Sequence, residues 1–513
     1  MRVTPGCRRQ HLLAAAALAL GLSGCGDDAT TGPETPSDAP ARLVIISGDG
    51  QSAMVETPLP EPLVVKLTDE SGLPLGGVHV SWEVAGATGA IAPLADTTDA
   101  DGLARAGWTL GSAAGQVEAV AAVAGIPPVT FSASAMDFAV SCDPSDLSVP
   151  QGSSVTIVCR VSSSAGFHGQ VTLGWTSSEA SVTLELSPSS VLLLADSYAR
   201  TWVALRVAAD AALGAAPFDV LGTSANVTRG TTVSMTVVEP RPRVRLVYLV
   251  PRDRTERADY ASAVEWAARH LQIWYRRSSG NGTTFVLSDP SVEIYETSHD
   301  ADWYATNPAG DLWLWYWSNV LEDGFALSGG GFNDPENIWI YYVDADPACG
   351  QIGGGGTSGV AVLPANDLRG LVGEPTIPPC EGQPPDDAGP CRFVGGLGHE
   401  LGHALGLPHP PGCESGDPSC PTQALMWLGY RTYPDAFLTE DDKTKFSASA
   451  FLSQLGIPLD LFDCANLPRS SVVVAGRALR GAQRHMSAVV RGSVSGYVPH
   501  RCEVFTPFPS SFR

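Results

Sequence analysis

Three histidines and one glutamate, closely spaced, are the residues of this sequence most suited to chemistry. The segment from His399 to His409 reads HELGHALGLPH. An α-helix turns once every ~3.6 residues, so His399 and His403 lie on one helical face and can approach one metal ion from the same side. Gly406 allows the chain to leave the helix, and His409 can then supply a third nitrogen ligand.

The ligand set predicts a catalytic zinc ion rather than a structural one. Three protein ligands leave the fourth tetrahedral position open for water, whereas a structural site is closed by four protein ligands. Glu400 follows the first histidine and lies beside the metal without being needed as a ligand. There are two alternatives to a catalytic site. The histidines could simply pack on a surface helix without a metal, or a bound zinc ion could serve only to stabilise the fold. The complete spacing and the free carboxylate disfavour both.

The whole pattern resembles that of the metzincin clan of zinc endopeptidases, which includes matrixins, astacins, serralysins and pappalysins. The resemblance covers residues 243–464 and does not select a subfamily. It implies one zinc ion held by three ligands, a general base next to the first ligand, and a methionine turn beneath the metal. In this sequence those residues are the ligands His399, His403 and His409, the base Glu400, and Met426 within the segment ALMWLGY.

The chain departs from the clan at one position near that methionine. Several metzincin families place a tyrosine two residues after the methionine, where it can approach the zinc, but this sequence has Leu428 there. The nearest tyrosines are Tyr430 and Tyr433, and we expect both to pack or to face solvent rather than to bind the metal.

The implied chemistry is hydrolysis of protein or peptide substrates. Zinc lowers the pKa of its bound water towards about 7, which makes a hydroxide-like nucleophile available at neutral pH. Glu400 would take the proton from that water and pass it to the leaving amine. No covalent intermediate is expected.

The N-terminal residues predict export and a lipid anchor. Arg8 and Arg9 precede an apolar stretch from Leu12 to Leu22, which is too short to span a membrane stably. The following Leu-Ser-Gly-Cys resembles a lipobox, so we expect residues 1–24 to be a lipoprotein signal peptide and Cys25 to be lipidated. Residues 25–40 would be a flexible tether. The predicted location is the bacterial envelope or cell surface, with plain secretion as the alternative.

The composition limits the remaining possibilities. A length of 513 residues indicates several domains, and a net charge of −23 with pI about 4.7 argues against nucleic acid as a partner.

Export favours disulfides. We expect Cys142 to pair with Cys159 and Cys413 with Cys420; a local option for the others joins Cys380 to Cys391 and leaves Cys349 and Cys464.

Two β-rich segments precede the zinc motif. Residues 41–135 alternate apolar and polar side chains at 63–67 and 78–84, and they resemble the immunoglobulin-like repeats of invasin- and intimin-type proteins. Residues 138–238 predict a second immunoglobulin-like sandwich, with strands at 153–161, 171–175 and 231–238. Both would be spacers or weak binding modules.

Residues 243–464 change to an α/β (α+β) pattern. Strands are predicted at 244–250, 283–287, 292–295 and 337–343, with a helix over 260–277. A short strand at 359–363 is expected to form the sheet edge above the cleft, and the aromatic run at 313–317 is expected in the core. Residues 465–513 form a basic tail without an assigned role.

The predicted fold is therefore multidomain: two all-β immunoglobulin-like sandwiches followed by an α/β metzincin-like zinc protease domain. The predicted function is a surface-anchored zinc metalloendopeptidase. The alternative is a surface adhesin or binding protein whose protease domain is inactive or incidental.

Overall fold

A computed structural model describes residues 40, 42–84, 86, 89–378, 380–386 and 388–468. The predicted signal peptide, most of the tether, the lipidation site Cys25 and the tail beyond residue 468 lie outside the described residues. Within the described ranges, no helix combines the length and the apolarity needed to cross a bilayer.

The first β-sandwich is built from strands whose side chains alternate between core and solvent. In strand β7, for example, buried and less buried residues alternate over the whole strand, which is the pattern of a sheet with one face in a core. One sheet has the order β1-β3-β7-β5, and the facing sheet contains β2, β9, β8, β4 and β6. The strands are β1 (Arg42–Ser47), β2 (Gln51–Met54), β3 (Leu63–Thr68), β4 (His79–Val84), β5 (Gly89–Ala92), β6 (Ala95–Thr97), β7 (Leu103–Leu110), β8 (Gly115–Ala122) and β9 (Val129–Asp143).

The second sandwich is joined to the first by a continuous strand. The first part of β9 pairs with β8, and its last residues pair with the next sandwich. The boundary near residues 136–137 is therefore not a flexible linker. The further strands are β10 (Asp146–Pro150), β11 (Ser153–Ser164), β12 (Gly169–Ser177), β13 (Val182–Ser187), β14 (Ser190–Leu193), β15 (Tyr198–Val207), β16 (Gly214–Ala215), β17 (Phe218–Ser224) and β18 (Val227–Val238).

The C-terminal region is a mixed sheet covered by helices. The strand order is β21-β19-β22-β24-β23, with all neighbours parallel except β23 and β24. The central strands are buried on both faces, as their continuous apolar sequences require. The elements are β19 (Arg243–Val250), α1 (Ala258–Ser278), β20 (Thr284–Phe285), β21 (Leu287–Glu296), α2 (Ala301–Thr306), α3 (Trp315–Ser328), β22 (Asn337–Val343), β23 (Gly355–Thr357), β24 (Val360–Leu363), α4 (Ala365–Leu371), α5 (Pro390–Ala404), α6 (Glu440–Ser447) and β25 (Leu452–Ser453).

The sheet edge differs from the sequence prediction. The strand predicted at 359–363 corresponds to β24, but β24 is an inner strand and β23 forms the edge. The segment before and within β23 is rich in glycine, so it carries no strand signal in the sequence. Glycine is needed there because a Cβ on Gly356 would overlap the carbonyl oxygen of Glu400. The edge strand therefore lies directly against the helix that carries the zinc motif.

The aromatic run at 313–317 is only partly core, so that prediction is wrong for most of its members. Tyr316 is fully buried and donates its hydroxyl to the carbonyl of Ala345 at 2.9 Å. The three tryptophans are half-buried. Trp317 donates its indole N–H to the carbonyl of Gly355 in β23 at 3.4 Å, so it lies at the sheet edge.

The described residues contain four disulfides. Cys142–Cys159 and Cys413–Cys420 are formed as predicted. The local option of Cys380 with Cys391 is wrong, because Cys349 bonds to Cys380 and Cys391 bonds to Cys464. The second of these pairs closes a separation of 73 residues, which depends on tertiary packing and not on sequence proximity.

The second sandwich is docked on the α/β region, which contradicts the expectation of a simple spacer. Strand β11 pairs with β21 through Ser153–Ser288 and Ser154–Leu287, so one sheet continues from the sandwich into the α/β region. Trp266 of α1 and Phe462 are buried in the same apolar cluster as the sandwich cores. The two regions therefore share a core.

Buried charges join the sandwich to α1. Arg269 of α1 is fully buried and donates to Glu265 at 2.7 Å and to Ser154 of β11 at 3.1 Å. Arg206 of β15 also donates to Glu265, at 2.7 Å. Burial raises the pKa of Glu265, but the charges of Arg269 and Arg206 outweigh it and hold that pKa below its ordinary value.

Replacing Glu265 with alanine should therefore destabilise the chain strongly. The change leaves Arg269 buried without its counter-charge, which typically costs about 3–5 kcal/mol. Urea denaturation of the full chain measures this loss. The control is Glu440→Ala, which removes an exposed partner of Lys443 and should leave the unfolding midpoint unchanged. Equal midpoints for the two variants would contradict a docked interface.

Candidate metal centre

The predicted ligands are positioned by α5 and the turn that follows it. Pro390 occupies the first turn of the helix, where its missing N–H costs nothing. The helix ends at Ala404, and Gly406 adopts a left-handed conformation with φ of 91°. The backbone N–H of Leu407 then bonds back to the carbonyl of Gly402 at 2.9 Å. This reversal brings His409 to the helical face that carries the other two histidines.

The three histidines converge through their Nε2 atoms. The Nε2 of His403 lies 3.1 Å from that of His399 and 3.1 Å from that of His409. Tetrahedral Zn–N bonds of about 2.0–2.1 Å would separate two ligand nitrogens by about 3.3 Å. The observed separations fit three imidazoles arranged around one zinc ion.

Each histidine is oriented by an acceptor at its other ring nitrogen. The Nδ1 of His399 lies 2.7 Å from the carbonyl oxygen of Leu425, and that of His403 lies 2.8 Å from the carbonyl oxygen of Leu407. The Nδ1 of His409 lies 3.0 Å from a carboxylate oxygen of Glu414. A carbonyl or carboxylate oxygen at Nδ1 requires a hydrogen on that nitrogen. A ring in this neutral tautomer has its lone pair on Nε2, the atom that lies at the common point.

The electrostatics of the cluster fit a bound cation. Burial lowers the pKa of His403 to about 4, with His409 adding to the effect. Burial also lowers the pKa of His399 well below its ordinary value, with His403 next in importance. His399 and His403 are therefore neutral at pH 7, and converging lone pairs repel unless a cation lies between them. The donor set of three imidazole nitrogens suits zinc.

Glu400 lies beside this cluster on the same helix. Its side chain is buried, and burial raises its pKa to about 8, with the charge of Asp367 adding to the rise and that of Arg392 opposing it. A Cβ on Gly354 would lie 3.6 Å from Oε1 of Glu400. The carboxyl group is therefore held between α5 and the segment that leads into the edge strand.

The segment around Met426 lies under the helix. Met426 is fully buried, and a Cβ on Gly402 would overlap its sulfur. The preceding residue, Leu425, supplies the carbonyl that orients His399. The same segment is anchored by the backbone N–H of Leu425, which donates to Phe437 at 2.8 Å.

Neither tyrosine of this segment is placed as a metal ligand in the described contacts. Tyr433 is buried, and its hydroxyl lies 2.6 Å from Nδ1 of His270. Tyr430 is half-buried, with its ring centroid 5.4 Å from that of His399 and the guanidinium of Arg392 4.8 Å above it. Leu428 is partly exposed.

Three partners of the histidines were not identified from sequence. Two are backbone carbonyls, which carry no sequence signal. The third, Glu414, lies next to Cys413 in a disulfide loop. Its position five residues after the last ligand matches no spacing rule, so only the folded loop reveals it.

Comparison with known proteins gives no family assignment. No family model matches the chain, and no curated protein matches it. Solved structures that resemble part of it include the D0–D1 domain of intimin, at 16% identity over 38% of this chain and 98% of that chain, with a TM-score of 0.17. The adhesin FdeC of Escherichia coli matches at 12% identity over 39% and 66% of the two chains, with a TM-score of 0.23. The adhesin InvE of Yersinia pseudotuberculosis matches at 15% over 38% and 58%, with a TM-score of 0.18. At these TM-scores the likeness carries no argument about fold or function.

Close packing of α5 on the turn after Met426 should depend on Gly395. A Cβ there would lie 2.5 Å from the carbonyl oxygen and 2.9 Å from the Cα of Tyr430, which are backbone atoms and cannot rotate away. We expect Gly395→Ala to lower the free energy of unfolding by about 1–3 kcal/mol, although alanine is the better helix former. The control Gly331→Ala meets nothing within 4 Å and should be nearly neutral. Chemical denaturation distinguishes them; a Gly395→Ala protein as stable as wild type would show that the contact is not tight.

Proposed function

We propose that the chain is a zinc-dependent endopeptidase. The observation that supports this most strongly is the convergence of the Nε2 atoms of His399, His403 and His409, each ring held by an acceptor at Nδ1. Three histidines leave a fourth tetrahedral position for water or substrate, which is the composition of a catalytic site. The buried Met426 beneath the helix agrees with the metzincin resemblance in the sequence.

The residues around the site have separate tasks. Zinc, when bound, supplies a Lewis acid that lowers the pKa of a coordinated water and polarises a carbonyl. Glu400 accepts a proton on its carboxylate and returns it to the leaving amine. Burial raises the proton affinity of Glu400, which suits a group that both takes and gives a proton near neutral pH.

Substrate would bind along the edge strand β23. One side of β23 pairs with β24, and its other side pairs with no strand among the described residues. An extended peptide can add to such an edge through main-chain hydrogen bonds. A Cβ on Gly354, which directly precedes this strand, would lie 3.6 Å from Oε1 of Glu400, so a peptide bound along β23 would lie near the general base.

The proposed location is outside the cytoplasm. The four disulfides of the described residues indicate folding in an oxidising compartment. We propose in addition that the mature chain begins at a lipidated Cys25 and is anchored to a bacterial membrane. Mass spectrometry of the mature N-terminus tests this anchor directly, and an unmodified N-terminus elsewhere would exclude it.

The second candidate function is a surface adhesin. The observation in its favour is a set of exposed apolar side chains on the second sandwich, Leu192, Leu194 and Tyr198, which are 71%, 67% and 50% exposed. Apolar side chains in such positions are available to contact a partner. This alternative leaves the orientation of the three histidines and the buried carboxyl of Glu400 without a role.

Glu400→Gln separates the two functions. The amide keeps the shape of the side chain but cannot accept the proton, so peptide hydrolysis should fall about 10²- to 10⁴-fold while zinc content stays at wild-type level. The readouts are cleavage of an unstructured protein substrate and metal analysis of the same samples. The control is Glu440→Gln on the surface of α6, which should cleave as wild type does.

A Glu400→Gln protein that cleaves as fast as wild type would show that Glu400 is not the base. A wild-type protein that holds zinc but cleaves no member of a broad peptide library would favour the adhesin.

A further inference from the structure

The third ligand is supported differently from the other two. His399 and His403 lie on α5, and their Nδ1 atoms donate to backbone carbonyls of Leu425 and Leu407. Both carbonyls belong to segments fixed by further backbone hydrogen bonds. His409 lies outside the helix, and its Nδ1 partner is the side chain of Glu414, 3.0 Å away.

Glu414 lies in a covalently closed loop. Its side chain is 40% exposed. The residue before it, Cys413, is buried and bonded to Cys420 across a separation of 7 residues. The loop is tightened further because the N–H of Asp417 donates to Gly412 at 3.0 Å and the N–H of Gly416 donates to Cys413 at 3.1 Å.

We infer that Glu414 is a positioning residue for His409, and that the Cys413–Cys420 disulfide holds Glu414 in place, so that the zinc affinity of the site depends on this disulfide. The inference rests on the zinc site proposed above. A carboxylate that accepts from Nδ1 fixes the tautomer with the lone pair on Nε2 and raises the basicity of that nitrogen. The Trp427 ring, nearly perpendicular to that of His409 with centroids 5.1 Å apart, provides a contact but no acceptor for the imidazole.

The test measures zinc affinity rather than activity. Zinc dissociation constants of full-chain variants are obtained by competition with a chromophoric chelator. Glu414→Ala should weaken binding about 10- to 100-fold, the usual effect of losing such a partner. Glu414→Gln should restore part of the affinity, because its amide oxygen still accepts a hydrogen bond. Glu440→Gln, which removes an exposed carboxylate of α6, should bind zinc as wild type does.

The disulfide is tested by a double-mutant cycle. Cys413→Ser/Cys420→Ser should weaken zinc binding to a similar degree. Adding Glu414→Ala to this variant should cause little further loss of affinity, because both changes disrupt the same interaction between Glu414 and His409. A zinc-free readout is the ¹⁵N chemical shifts of the His409 ring. They should report hydrogen on Nδ1 in wild type and a mixture of tautomers in Glu414→Ala.

The outcomes separate this inference from the proposed function. Wild-type zinc affinity in Glu414→Ala, or fully additive losses in the cycle, would overturn the role of Glu414 and leave the three-histidine site standing. A wild-type chain that binds no zinc would overturn both. Loss of affinity together with lower thermal stability of the zinc-free Glu414→Ala protein would show a structural role and overturn the positioning role.

Discussion

The candidate site depends on one constraint, the orientation of three imidazole rings by acceptors at Nδ1. The acceptors come from three different segments: the turn before Met426, the turn after α5 and the disulfide loop that carries Glu414. Each segment must be in place for all three Nε2 lone pairs to meet. The site is therefore assembled by tertiary structure, although its three ligands lie within a segment of only eleven residues, from His399 to His409.

Helix α1 connects this assembly to the second sandwich. On one side, Trp266 and Arg269 are buried against sandwich residues. On the other side, the hydroxyl of Tyr275 donates to the carbonyl of Gly398 at 2.7 Å, and a Cβ on Gly398 would lie 2.8 Å from Leu271. Close-packed interiors transmit displacement. A change in how the sandwich docks is thus expected to reach α5 through α1, which gives the sandwich a part in the architecture of the site.

Local sequence patterns correctly predicted those helices and strands whose formation depends on residues close together in the sequence. The strand at 337–343 is confirmed without a change of bounds, and the helix predicted over 260–277 is α1. The helical spacing of His399 and His403 places both rings on one face, and their Nε2 atoms lie 3.1 Å apart. Periodicity is encoded within a few neighbouring residues, and the sequence displays it directly.

The predictions that were wrong involve long-range contacts. The edge strand β23 consists largely of glycine, which has low strand propensity and is required only because α5 passes so close. The partner of Cys391 was misassigned because Cys464 is distant in the sequence. The docking of the second sandwich is carried by Arg269 and Glu265, whose spacing of four residues on a helix is equally compatible with a surface ion pair.

The proposed site holds one zinc ion through three histidines and leaves one position open. X-ray absorption at the zinc edge of the purified full chain measures the number and kind of zinc ligands. We expect about one zinc per chain, with three imidazole nitrogens at about 2.0–2.1 Å and a fourth light-atom ligand. A spectrum with sulfur ligands at about 2.3 Å, with four imidazoles, or from a chain without bound zinc would contradict it.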